Sequence, residues 1–134
     1  MNYIIVLDLL LALNVLLVGR EIKLIDLDAS ANMAMQELVG TKYSSGYIAP
    51  EMLLIDTEGN SVVRRGDDLI LAHPSQDMWA LGCILYYLLS GQSLFHVNTD
   101  DNLGSPDDHD ILCDWDSEVK EINLAPSVIN WERI

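Results

Sequence analysis

Asp77-Met78-Trp79-Ala80-Leu81-Gly82-Cys83-Ile84-Leu85-Tyr86-Tyr87-Leu88-Leu89-Ser90-Gly91 is the stretch that decides the fold. Pro74 and Ser75 stand just before it, and Ser75 can cap a helix start. Gly91 falls where a left-handed C-terminal cap is wanted. Between these signals the residues are apolar on nearly every helical face. Such a helix belongs at the centre of a domain, and it is too short to cross a membrane.

Upstream, residues 14–18 and 21–25 are β-favouring runs separated by Gly19-Arg20, which predicts a small hairpin with a tight turn. Residues 26–48 lack periodicity and read as a loop. Pro50 opens a short apolar stretch at 51–55, where a proline at the first helical position is favourable. Residues 56–68 are polar, with Glu58-Gly59-Asn60 as a turn, and read as an exposed insertion. Beyond Phe95 the pattern predicts an acidic loop, a short helix near 117–122 and a tail.

The chain has 134 residues, enough for one domain with a real core. Half of them are hydrophobic and 21% charged, a globular composition. Seven basic residues against 21 acids give a formal net charge of −14. That surface repels phosphate backbones and anionic lipid, so nucleic acid and membrane are not expected partners. The acids crowd between Asp100 and Glu121, where Lys120 is the one base, and predict a solvated acidic face. Cys83 lies in an apolar run and reads as a core residue; neither it nor Cys113 has metal-ligand spacing. A reducing, cytoplasmic setting is the expectation. The apolar opening, residues 1–18, has no basic flank or cleavage pattern, and Asp8 near its middle argues against a membrane span.

Three segments in order resemble motifs of the eukaryotic protein kinase family, of the Ser/Thr or tyrosine-kinase-like branch. Ile22-Lys23-Leu24-Ile25-Asp26-Leu27-Asp28 is similar to the strand and Asp-Phe-Gly element that opens the activation segment. Gly40 through Tyr47, then Ile48-Ala49-Pro50-Glu51, ends in the family's Ala-Pro-Glu. Asp77-x-Trp79-x-x-Gly82, followed by Leu88-Leu89-Ser90-Gly91 and Leu94-Phe95, is similar to the start of the central helix and the stretch after it. The resemblance covers roughly residues 6–95, leaving 96–134 as acidic loop and tail.

The resemblance implies a mainly α fold: a partial kinase-like C-lobe with a small β-hairpin near the N-terminus, the N-lobe being absent. It implies ATP-dependent phosphorylation of protein hydroxyls with Mg²⁺. Asp26 and Asn14 take the positions of metal ligands, and hard cations favour such oxygens. Ser44 takes the position that helps place the substrate hydroxyl. Glu51, Asp77, Trp79 and Gly82 are the structural motif residues. Asp77 would accept hydrogen bonds from catalytic-loop amides, while also suiting a helix start. Glu51 would pair with a later arginine, for which Arg133 is the candidate.

The departures are equally specific. Aligning on Asn14 sets Leu7, Asp8 and Leu9 over the family's His-Arg-Asp and Leu11 over its lysine. Leucine cannot accept a proton, and losing a positioned base costs around 10²–10⁴ in rate. Asp8 is the nearest alternative base, one residue out of register. Asp28 replaces a glycine. No Gly-rich loop or strand lysine is present, so ATP binding by this chain is expected to be poor. The expected function is therefore a kinase-like domain inactive alone, or else a pseudokinase-type interaction module presenting the Tyr43–Tyr47 loop. Thr41, Tyr43, Ser44 and Ser45 are candidate phosphorylation sites. Asp26, Asp28, Ser30, Asn32 and Glu37 also fit the spacing of a calcium loop, but Ala31 stands where its glycine belongs and a strand precedes it.

Overall fold

The computed structural model describes residues 5–6, 14–39, 44–64 and 66–124. Strands are short and pair in twos. Strand β1 (Ile5–Val6) pairs with β4 (Ala31–Asn32), and β2 (Val15–Val18) with β3 (Glu21–Leu24). Strand β5 (Leu38–Val39) pairs with β8 (Ile70–Leu71), and β6 (Leu53–Ile55) with β7 (Ser61–Val63). All four pairs are antiparallel. Helix α1 (Pro74–Ser90), α2 (Pro106–Cys113) and α3 (Ser117–Asn123) complete the regular structure.

This corrects the expectation of a mainly α lobe. Helices of 17, 8 and 7 residues share the described chain with four small sheets, and a partial C-lobe is not established by this architecture. The physical reason lies in local pairs of apolar residues. Leu53, Leu54 and Ile55 oppose Val63, Val62 and Ser61 across a turn, so the presumed insertion is a hairpin. Likewise Val39, inside the segment read as a loop, pairs with Ile70 to form β5 and β8. Runs of two or three residues are too short to show a period.

The expected N-terminal hairpin is present. Val18 opposes Glu21 across Gly19-Arg20, and Gly19 has φ 67°, the left-handed value that a two-residue turn needs at its first position. Its strands carry little burial, however: Leu17 is 74% and Ile22 73% exposed.

Helix α1 ends as the sequence predicts but begins at Pro74, earlier than a Ser75 cap would set it. Pro74 occupies the first turn, which makes His73 the N-cap; its Nδ1 accepts from the Ser75 amide at 3.2 Å. Gln76 Oε1 accepts from the His73 amide at 3.1 Å, closing a capping box. Gly91, at φ 77°, ends the helix by donating its amide to the Tyr87 carbonyl at 2.8 Å.

Enclosure of α1 is a second correction. Gln76, Ala80, Cys83 and Ile84 are its buried residues, whereas Met78, Leu81, Leu85 and Leu88 form an exposed apolar stripe. The main core gathers elsewhere. Met52 and Leu112 are its most deeply buried large side chains, joined by Leu53, Val63, Phe95 and Leu103. It lies where the β6–β7 hairpin meets α2, and α1 reaches it through Trp79. Helix α2 was not expected, although Ser105, Pro106 and Asp107-Asp108 form an ordinary helix start. Ser105 Oγ accepts from the Asp108 amide at 3.2 Å and donates to the Asp108 carboxylate at 2.7 Å.

Candidate functional site

The β2–β3 register decides the geometry of the candidate metal ligands. Val15 opposes Leu24, and the Ile25 amide donates to the Asn14 carbonyl at 3.0 Å. Asn14, which is buried, therefore stands opposite Ile25 at the open end of the hairpin, and Asp26 is the next residue along that strand's exit. Asp26 leaves the strand with φ 58°. A left-handed backbone at a residue other than glycine is uncommon and favours Asp and Asn. Such conformations persist where the surrounding structure fixes them, and they cluster at functional sites. Magnesium sites commonly use one or two protein oxygens plus phosphate and water, so a carboxylate and an amide are residue types that suit that ion. No cluster of three or more His, Cys, Asp or Glu able to hold a metal occurs among the described residues.

The calcium-loop spacing does not form a cage. Asn32 Oδ1 accepts from the Ala34 amide at 3.0 Å, and a Glu37 carboxylate oxygen accepts from the Asn32 amide at 2.6 Å. These oxygens hold their own turn.

Asp8, Leu7, Leu9 and Leu11 lie outside the described residues, as do Thr41, Tyr43 and Arg133. Ser44 is half-buried at the head of a 3₁₀ turn, Ser45–Tyr47, and accepts from the Tyr47 amide at 3.0 Å. That turn is fastened to residues that sequence reasoning did not single out. Ser45, buried, donates its amide to Asn102 Oδ1 at 3.1 Å, and its Oγ accepts from the Leu103 amide at 2.8 Å. The Gly46 amide donates to the Asp101 carbonyl at 3.0 Å. Ser45 is thus a structural hydroxyl and a poor phosphorylation site. Tyr47 is tucked against the same loop; burial, and then the nearby Asp101 charge, push its phenol above the usual tyrosine range.

The motif residues sort into two groups. Glu51 is exposed, and its carboxylate accepts from Ser75 Oγ at 3.0 Å, joining the Ala-Pro-Glu turn to the start of α1. Arg64 Nε donates to the Glu51 carbonyl at 2.8 Å, so an arginine on the β6–β7 side reaches this residue through its backbone. Asp77 sits half-buried in the first turn of α1, where the helix dipole favours a carboxylate. Trp79 stacks near Phe95 with centroids 6.4 Å apart and meets Trp115 edge-on at 5.3 Å. Gly82 is exposed, and a Cβ there would meet nothing within 4 Å. Asn14 and Asp26 thus lie at one end of the β2–β3 hairpin, Glu51 is bonded to the start of α1, and Ser44 heads the turn held by residues 101–103.

The motif order and an Ala-Pro-Glu turn bonded to the helix that carries Asp77 and Trp79 point to a protein kinase-type chain. The protein kinase domain family model matches residues 3–128, and the chain belongs to that family. The match extends well past the motif resemblance, taking in α2 and α3. No curated protein and no solved structure matches the chain. Membership does not depend on α1 being enclosed.

Proposed function

We propose that this chain carries the metal-binding and hydroxyl-placing portion of a kinase-type site for Mg-ATP and protein Ser/Thr residues, without the base that makes transfer efficient. What supports the reading is that Asn14 stands opposite Ile25 at the open end of the hairpin, one residue before Asp26, whose backbone is left-handed. Mg²⁺ bound there would neutralise charge on nucleotide phosphates. Asp26 would supply the charged oxygen and Asn14 a neutral one, while Ser44 would orient an incoming hydroxyl. Leu9, standing where the family has its catalytic aspartate, would leave proton removal to water or to Asp8. Protein substrates or partners in the cytoplasm follow from the same reading.

Mn²⁺ serves as a spectroscopic stand-in for Mg²⁺ in the test. Paramagnetic broadening should centre on residues near 14 and 26 and disappear in Asp26→Asn. Mg-ATP with a generic protein substrate should give no more transfer than Asp26→Asn gives. Transfer clearly above that control would overturn the inactive reading; Mn²⁺ broadening unchanged by Asp26→Asn would overturn the metal site.

A second reading, a non-catalytic interaction module, is favoured by one observation. The α1 stripe and the β2–β3 hairpin each expose several large apolar side chains, the kind of surface that marks interaction sites.

A further inference from the structure

Strand β3 has an edge that no described strand covers. Its four residues, Glu21–Leu24, are all exposed, and among the described strands it pairs with β2 alone. The hairpin fixes which backbone groups face that edge. The Ile25 amide points at β2, where the Asn14 carbonyl accepts it. Alternation along the strand then turns the amides and carbonyls of Ile22 and Leu24 outward. Edges are usually blunted by proline, a bulge or a lone lysine. Strand β3 has no proline, its register with β2 is unbroken, and its lysine is not alone: Lys23 Nζ stands 3.6 Å from the Glu21 carboxylate, two residues away on the same face.

We propose that this edge pairs with the β3 edge of a second copy of the chain, antiparallel, about a two-fold axis at Ile22. Outward groups restrict the pairing to residues 22 and 24 of the two copies. Centred on Lys23, such a pairing would set lysine against lysine; centred on Leu24, it would set each Lys23 against an apolar Ile25. Centred on Ile22, Glu21 of each copy lies directly across from Lys23 of the other, and Ile22 meets Ile22. Opposite charges in that position stabilise an antiparallel pair, and like charges destabilise it. Within β3 the one acid and the one base cancel, so the chain's net charge of −14 does not fall on the contact. The contact uses the same patch on both copies and closes as a dimer. Since Leu17 opposes Ile22 in the hairpin, the four-stranded sheet carries Leu17, Ile22 and their counterparts in one apolar row, made of side chains that the single chain leaves in water. The proposal rests on the interaction-module reading and names its partner.

The test is sedimentation velocity of the full chain over a concentration series, where a reversible dimer is expected. Glu21→Lys, which puts lysine against lysine at both crossings, should weaken it roughly tenfold, as should Lys23→Glu. These two reversals move the net charge in opposite directions, so a common loss reports the crossing pairs and not overall repulsion. An equal mixture of the two variants, and the double exchange Glu21→Lys with Lys23→Glu, should each restore the dimer, which a loss through misfolding would not do. Leu88→Glu should leave the dimer in place and reduce only larger species. A chain that stays monomeric, a dimer indifferent to the single reversals, or no recovery in the mixture and the double exchange overturns the pairing. Loss in Leu88→Glu with the charge series silent also overturns it, while leaving the interaction-module reading standing on α1.

Discussion

Gly46 shows how one residue can fix the position of a loop. Its amide is bonded to Asp101, and a Cβ added there would collide with the Val97 side chain and lie 2.8 Å from the Asp101 carbonyl oxygen. Gly46→Ala is therefore expected to destabilise by about 1–3 kcal/mol, the usual cost of overpacking, measured by urea unfolding. Cys83 makes the opposite kind of case, since its place in an apolar run was readable from sequence. Burial pushes its thiol up to about 12 from an ordinary 9.0. Near pH 8 iodoacetamide should modify half-buried Cys113 first and reach Cys83 only on unfolding. The sign of the linkage follows. Above pH 9.0 the unfolded thiol ionises while the folded one stays protonated up to about 12, so stability should fall with rising pH across that window and do so less in Cys83→Ala.

At the scale of elements, caps and turns were the most legible features because each depends on one or two local residues. Gly19, Pro74 and Gly91 do what their chemistry requires in the hairpin turn and at both ends of α1. His73 was missed as the N-cap because serine is the commoner choice; only the helical frame set by Pro74 puts the imidazole in that place. Strands β6 and β7 were missed because three-residue runs carry no readable period, and their pairing is fixed by the turn and the core behind them. Gly82 gives a direct test of α1. With open space around it, Gly82→Ala should raise stability by about 0.5–1 kcal/mol, the interior helix preference for alanine. A thermal melt that falls would mean this face is tightly covered in solution.

Across the whole molecule, the distribution of burial is the main departure from expectation. The core sits under the β6–β7 hairpin and α2, while α1 gives one face to the protein and Met78, Leu81, Leu85 and Leu88 to solvent. A surface position should tolerate charge. Leu88→Glu is expected to change stability by no more than about 0.5 kcal/mol and to reduce self-association seen in sedimentation velocity as concentration rises. A loss of several kcal/mol would show that the stripe is interior. Among the described residues no helix is long and apolar enough to cross a membrane.

The sequence by itself determined the family motifs, the N-terminal hairpin and the C-terminal end of α1, because each is written in neighbouring residues. It could not show that Asn102 and Asp101 hold the Ser45–Gly46 turn, since those residues lie far along the chain. Which side of α1 is covered was likewise a tertiary decision. An apolar helix records that burial is favourable on every face, but only the partners available in the fold decide which face obtains it.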